Sequence, residues 1–208
     1  MVWCPTWAYR EFGVALIDAL VEWESRWRAA GAPVQDLLEP GIDGNEVRER
    51  QTEVAVVHPD AFTWFSWHNG SLRLDAAPSG YEMRSVEEVD VLIFQMEASE
   101  GIFTSSGRET SQVRGSLLPL MDTNERQMIV LDQDTGAVYR YDAALDVRLL
   151  KVADNLESLV RLWIEVFDLV QPGYYPAVEL FAFDNDLAPP DLVAKGIVST
   201  AIMVEDAQ

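Results

Sequence analysis

The sequence has few of the residues that build metal sites, disulfides and nucleic-acid surfaces. Its 208 residues include one cysteine, Cys4, and two histidines, His58 and His68, at no spacing known for zinc ligands. A single cysteine excludes an internal disulfide, which is typical of a reducing compartment. Lysine and arginine number 15 against 35 acidic residues, so the formal net charge is −20. Because this charge repels phosphate backbones and anionic lipids, we expect no nucleic-acid or membrane partner, and we also expect no metal and no cofactor.

Long apolar segments are also missing. The start, Met-Val-Trp-Cys-Pro, lacks the basic region of a secretory signal, and the apolar stretch from Gly13 to Val21 is interrupted by Asp18. No apolar run approaches the roughly 20 residues that a transmembrane helix needs. Hydrophobic residues nevertheless make up 49% of the chain, as in a globular protein. We therefore expect a cytoplasmic protein with a core of its own.

The acidic residues are spread along the whole chain. Residues 1–104 carry a net charge of −11 and residues 105–208 a net charge of −9. One interpretation is a surface that keeps the protein dispersed in solution. The other is a surface matched to a basic partner, whose association the field would accelerate. Composition is compatible with both.

Apolar periodicity predicts three main helices. The first covers residues 7–30, and the last begins after Asp154 as its expected cap and ends before Pro172. Between them, Ser85 and Glu88 have the spacing of a capping box and favour a helix over Val86–Met96, although Val91–Phe94 alone is also compatible with a strand. The first helix has this apolar stripe: Phe12, Leu16, Leu20, Trp23, Trp27.

Two shorter elements have firm boundaries. Pro59 and Asn69-Gly70 enclose an aromatic helix, since proline suits a first helical turn and glycine suits the end of a helix. Residues 127–132 and 137–141 alternate as strands around a glycine-containing turn, which predicts a hairpin. The Ser-, Thr- and Gly-rich residues 101–115 predict a loop or a weak strand pair.

The sequence offers no established catalytic motif. Cys4 stands beside a proline, no serine lies in a Gly-x-Ser-x-Gly pattern, and no glycine-rich phosphate loop occurs. The segment Asp132 to Gly136 is similar to the start of a calcium loop, but Gly136 and Ala143 stand where oxygen ligands are needed. A hairpin turn explains this segment better. Both histidines flank a helix end, where hydrogen bonding to backbone is their expected role.

Trp64 and Trp67 allow two interpretations. Their spacing of three residues beside Asp60 is compatible with an exposed groove that binds a partner. Packing into the core is the favoured interpretation, because an indole has a large apolar area to bury. Trp23, Trp27 and Trp163 lie on helical stripes and are expected to be core residues.

Four short motifs occur in order between an N-terminal amphipathic helix and a closing helix: Trp67-His68-Asn69-Gly70, Gly80 to Glu88, Leu118 to Asp122, Val130 to Asp142. This order, over residues 10–171, resembles the SUKH superfamily, which includes the yeast cell-wall-synthesis regulator and many bacterial immunity proteins. The chain departs from the family at Leu117, where tryptophan is common, and in the length of the loop at residues 101–115. These departures leave the subfamily open.

The resemblance implies a single α+β domain in which a curved, mainly antiparallel sheet is flanked by helices, here over residues 1–171. Residues 172–208 form a C-terminal extension whose apolar content predicts that it packs on this domain. The resemblance also implies a binding protein without catalytic residues, and therefore not an enzyme.

Together with the charge, the resemblance predicts an immunity protein that neutralises a basic bacterial toxin domain by direct binding. The expected partner contacts are Trp64, Trp67, Asp122, Asn124 and Glu125, whereas Asn69, Gly70 and Gly136 are expected to shape the scaffold. One alternative is a regulatory or scaffold domain that binds protein partners without a toxin. Another is an enzyme of unrecognised type, which would require a pocket with convergent polar groups.

Overall fold

An antiparallel sheet forms the centre of the fold. The computed structural model describes residues 8–51, 55–72, 81–105, 116–123, 127–142, 149–176 and 180–182. The strands of this sheet are Glu82–Met83 (β1), Leu117–Asp122 (β2), Gln127–Asp132 (β3), Val138–Asp142 (β4) and Leu149–Ala153 (β5). They pair in the order β1-β2-β3-β4-β5, so each lies beside its neighbours in the sequence. The hairpin predicted from the alternation and the glycine turn is confirmed as β3 and β4.

Helices complete the α+β class that the resemblance implies. They are Ala8–Ala29 (α1), Val34–Leu37 (α2), Gly44–Arg50 (α3), Pro59–Trp67 (α4), Val89–Ser105 (α5) and Leu156–Val170 (α6). A 3-10 turn, Val86–Glu88, leads directly into α5. Within the described ranges, no helix combines the length and the apolar character that crossing a bilayer requires.

Both faces of the sheet are apolar, because alternate residues of a strand point to opposite sides. Ile129 and Leu131 of β3 belong to the larger core, which α1, α4 and α6 also line. Met128 and Val130 belong to a smaller core with Leu92 of α5. Leu92 and Met96 of α5 therefore pack on one side of the sheet, and α1, α4 and α6 pack on the opposite side.

Tryptophans from three helices meet in the larger core. Trp23 of α1 stacks on Trp163 of α6, with 4.7 Å between ring centroids, and meets Trp27 edge-on at 4.8 Å. Trp67 of α4 lies 5.9 Å from Trp23. The packing role predicted for Trp23, Trp27 and Trp163 is confirmed by their burial.

One buried carboxylate connects the starts of α4 and α6. Nδ1 of His58 caps α4 by accepting a hydrogen bond from the amide of Asp60 at 3.2 Å, which confirms the backbone role predicted for this histidine. The Asp60 carboxylate accepts a hydrogen bond from the amide of Leu156, the first residue of α6. Burial raises the pKa of Asp60, although His58 and the Leu156 amide act in the opposite direction. Asp60 therefore helps to align two helices that line the same core.

The N-cap of α6 is Asn155, so the prediction of Asp154 as the cap is wrong by one residue. Oδ1 of Asn155 accepts a hydrogen bond from the amide of Ser158 at 2.8 Å. Asp154 instead pairs with Lys151 of β5 at 2.7 Å, and this hydrogen bond lowers the pKa of Asp154. Both residue types are good N-caps, and the path of the chain out of β5 decides between them.

Helix α5 confirms the helix predicted after the capping box and extends further than expected. Oε2 of Glu88 accepts a hydrogen bond from the Ser85 amide at 3.0 Å. The helix continues through Ser105, so the prediction of a loop or strand pair over residues 101–115 is wrong for residues 101–105. The remainder of that prediction, residues 106–115, lies outside the described residues.

The described part of the C-terminal extension packs against the helices. Gly173–Tyr175 (β6) and Leu180–Ala182 (β7) form an antiparallel pair. Phe181 of β7 is fully buried, and its ring contacts those of Trp27 and Phe167. This contact joins the β6-β7 pair to the larger core. Residues 183–208 lie outside the described residues.

Candidate functional site

Four charged side chains meet where β1 ends and α5 begins, and we call them the Arg84 cluster. The sheet register places Glu82 of β1 opposite Asp122 of β2. Arg84 lies between the two carboxylates, with Nη2 2.7 Å from Glu82 and Nε 2.6 Å from Asp122. Nη1 of Arg84 also lies 3.4 Å from the carboxylate of Glu88, the fourth member. The guanidinium therefore offsets the repulsion of like charges that face each other across a strand pair.

The Arg84 cluster is negative overall, since three carboxylates share one guanidinium. Burial of Arg84 acts to lower its pKa, but the hydrogen bond with Asp122 and the charges of Glu82 and Glu88 outweigh this effect and raise it. The side chains of Glu82 and Asp122 are each only 10% exposed, whereas that of Glu88 is 48% exposed. The outer carboxylate is thus the one that can meet a partner directly.

The loop after α4 holds the start of α5 in place. Oδ1 of Asn69 accepts a hydrogen bond from the Val86 amide at 3.0 Å, and Nδ2 donates to Glu87 at 3.1 Å. Asn69 itself is 1% exposed and its bond with the Val86 amide is shielded from water, whereas its bond with Glu87 is only partly buried. The scaffold role predicted for Asn69 agrees with this geometry. Part of the Trp67-His68-Asn69-Gly70 motif therefore positions the acidic residues of the turn before α5.

Gly70 is a position at which one added methyl group should disturb this arrangement. Its φ is +115°, and a Cβ there would lie 2.9 Å from the backbone nitrogen of Ser85. We expect Gly70→Ala to lower the free energy of unfolding by about 2 kcal/mol, because a backbone clash adds to backbone strain. Urea unfolding measures this loss. Gly31→Ala is the control, since Gly31 has a φ of +92° but nothing within 4 Å of its Cβ; an equal loss in both variants would contradict a role for the Ser85 contact.

The acidic surface continues from the Arg84 cluster toward α3. Glu87 pairs with Arg50 at 3.1 Å, and both side chains are more than two-fifths exposed. Burial acts to raise the pKa of Glu87, but its hydrogen bonds with Asn69 and Arg50 contribute to a net lowering. Burial raises the pKa of nearby Glu39, and the charges of Glu87 and Glu88 raise it further. The charges of Glu87 and Glu88 therefore act on Glu39, and the three carboxylates form one acidic surface.

The five predicted partner contacts have different positions in the structure. Asp122 belongs to the Arg84 cluster, whereas Asn124 and Glu125 lie outside the described residues. Trp64 and Trp67 are 0% and 7% exposed, which favours the core alternative, because a buried indole has almost no surface to offer a partner. We therefore do not include the two tryptophans in the candidate site.

The sequence did not predict a buried contact between the carboxylate of Glu24 and the indole of Trp67. Oε2 of Glu24 accepts a hydrogen bond from Nε1 of Trp67 at 2.9 Å, and Arg28 pairs with the same carboxylate. Nδ1 of His68 donates to the carbonyl oxygen of Glu39 at 2.7 Å, which confirms the backbone role predicted for this histidine. Glu24 lies one helical turn from Arg28, but no local pattern relates it to Trp67. The bond between Trp67 and Glu24 fixes the end of α4 against α1.

The turn between β3 and β4 is held by its own side chains, which supports the hairpin interpretation over a calcium loop. Asp132 accepts hydrogen bonds from the Asp134 amide at 3.1 Å and from the Thr135 hydroxyl at 2.9 Å. Gly136 has a φ of +76°, as its predicted scaffold role requires. In the part of the chain that the structure describes, no three His, Cys, Asp or Glu side chains form a group that could hold a metal ion.

An open groove of about 430 Å³ lies where α1 and α6 end. Its charged residues are Arg26 and Asp168, which form two hydrogen bonds with each other at 2.9 Å. Phe167 and Pro172 contribute apolar walls. Because the two charged groups are paired with each other, the groove presents no isolated acid or base to a substrate.

No family model matches the chain, and no curated protein matches it. The function must therefore be inferred from the residues and their arrangement. The Arg84 cluster, with the adjoining Glu39 and Glu87, is the candidate functional site. It combines buried ion pairs that fix the backbone with outer carboxylates that face solvent, an arrangement suited to binding a cationic surface.

Proposed function

We propose that the protein is a non-enzymatic immunity protein of the SUKH type, which neutralises a basic bacterial toxin domain by direct binding. The observation that carries this proposal is the Arg84 cluster with Glu39 and Glu87, where carboxylates outnumber guanidinium groups. A net charge of −20 attracts a cationic domain, and a local concentration of carboxylates orients it. The SUKH-like order of motifs supports the same function.

Neutralisation would follow from occupation of the toxin's substrate site. A toxin that attacks nucleic acid binds a polyanion through lysine and arginine side chains. The carboxylates of Glu87 and Glu88 are 42% and 48% exposed and are therefore available to take the place of phosphate groups. Such binding requires no bond to be made or broken by the immunity protein itself.

Binding fits the candidate site better than catalysis does. A general acid or base needs a proton-transfer position that faces a substrate. The inner carboxylates of Glu82 and Asp122 instead face Arg84, and outside the site the buried carboxylate of Glu24 likewise faces Trp67. Their partners serve to hold β1, β2 and α4 in position, which supports a scaffold that presents charge.

A pair of variants with equal net charge tests the location of the binding surface. Glu87→Gln/Glu88→Gln alters the candidate site, and Glu22→Gln/Glu157→Gln alters paired, part-exposed glutamates on α1 and α6. Glutamine at position 88 can also maintain the capping box. We expect the first variant to associate about tenfold more slowly with a basic toxin domain encoded beside the protein, at low salt. Stopped-flow measurements at low and high salt record this rate.

The control variant is expected to associate within about twofold of the natural protein, since both variants lose the same two charges. Equal slowing in both would show that overall charge matters and the candidate site does not. The immunity function itself is tested by co-expression with the toxin domain. Failure to rescue growth, together with no association at low salt, would contradict the proposal and favour the regulatory or scaffold alternative.

A further inference from the structure

Helix α5 has apolar side chains on two opposite sides. Toward the sheet, Leu92 and Met96 are 3% and 0% exposed. On the other side, Val91 and Phe94 are 57% and 70% exposed, and Phe94 is the most exposed large hydrophobic residue in the described part of the chain. A polar side chain would fit at either outward position, so the fold does not require an apolar one there.

Acidic residues frame this outward pair. Glu97 follows Phe94 by three positions on α5, a spacing that places side chains next to each other on a helix, and Glu87 lies in the 3-10 turn four positions before Val91. Glu87 belongs to the acidic surface of the candidate site, so the apolar pair continues that surface along α5. An apolar centre inside a charged rim is the usual arrangement of a protein-binding surface.

We propose that Val91 and Phe94 are the apolar anchor that holds the partner, and that the partner offers an apolar patch surrounded by lysine and arginine side chains. This inference rests on the proposed function and adds the chemistry of the partner's contact surface. Charge complementarity selects this occupant, because the rim formed by Glu87 and Glu97 is acidic. A second copy of the chain would bring the same glutamates against each other, and an anionic bilayer would be repelled.

The anchor and its rim should affect different rates. Rim charges act over a distance and set how fast the partner arrives, with a strong dependence on salt. A side chain buried on contact sets how long the partner stays. Removal of Phe94 is therefore expected to accelerate dissociation and to leave the salt dependence of association unchanged.

Two synthetic peptides of identical leucine and lysine composition test the anchor without a known partner. One forms an amphipathic helix with a leucine face flanked by lysines, and the other is a scrambled sequence without an apolar face. We expect the protein to bind the amphipathic peptide about tenfold more tightly than the scrambled one, as measured by fluorescence anisotropy. Phe94→Ser is expected to bind both peptides with similar affinity, and Val91→Ser is a second variant at the same surface.

Leu169→Ser is the matched control, because Leu169 is 58% exposed and lies on α6. It is expected to keep the tenfold preference for the amphipathic peptide. If Phe94→Ser and Leu169→Ser preferred the amphipathic peptide over the scrambled one to the same extent, this result would overturn the anchor role of Phe94. A smaller sedimentation coefficient in Phe94→Ser alone would also overturn it, since a second copy would then be the occupant. Either result leaves the proposed function standing if Glu87→Gln/Glu88→Gln still slows association with the toxin domain.

Discussion

An Arg84→Met variant is expected to lose about 3 kcal/mol of the free energy of unfolding. Without the guanidinium, Glu82 and Asp122 remain opposite each other across the β1-β2 pair, where their side chains are only 10% exposed. Like charges in this position repel, and little water is present to screen them. The expected loss is at the lower end of the range for removing one partner of a buried ion pair, because the side chain of Arg84 is 20% exposed. Urea unfolding followed by tryptophan fluorescence measures it.

Arg161→Met is the control for this loss. Arg161 pairs with Glu157 and Glu22 but is 48% exposed, so its removal is expected to lower the free energy of unfolding by less than about 1 kcal/mol. Adding Asp122→Asn to Arg84→Met should recover part of the loss by removing one of the facing charges. Equal losses for the two arginine variants, or no recovery in the double variant, would contradict the role assigned to Arg84.

Trp23→Ala is expected to lower the free energy of unfolding by about 4 kcal/mol, the largest effect that we predict. The indole of Trp23 is fully buried and contacts rings on α1, α4 and α6, so its loss leaves a cavity among three helices. For a chain of this size, such a loss lowers the melting temperature by roughly 10 °C. Thermal unfolding followed by circular dichroism records both the change and its cooperativity.

Val21→Ala on the same helix is the control for Trp23→Ala. Val21 is 49% exposed, so the substitution is expected to change the free energy of unfolding by no more than about 0.5 kcal/mol. A decrease after Trp23→Ala that is no larger than the change after Val21→Ala would contradict the central position of Trp23 in the larger core.

Much of the fold was predictable because its signals are local. The stripe on α1, the capping box of Ser85 and Glu88, and the glycine turn between β3 and β4 each involve residues a few positions apart. Where two local choices were equally good, the sequence could not decide between them. Asp154 and Asn155 are both suitable caps, and the pairing of Asp154 with Lys151 is a property of the folded strand.

The candidate site was predictable only in part, because its contacts join distant segments. Asp122 was expected to meet a partner, but its ion pair with Arg84 spans 38 positions and no periodicity indicates it. Spacing placed Trp64 and Trp67 on one helix but could not tell which neighbours cover that helix. Helix α4 has only nine residues and both indoles are buried, with Trp67 packed against Trp23 and Trp27 of α1.

The pairing of α1 with α6 has a consequence for how the chain is made. Arg26 and Asp168, which join these two helices, are 142 positions apart. At 5 to 20 residues per second, a ribosome adds that length in roughly 7 to 28 s. The tryptophan-bearing side of α1 is therefore synthesised that long before the part of α6 that covers it. Transiently exposed apolar surface of this kind favours aggregation and is what chaperones bind.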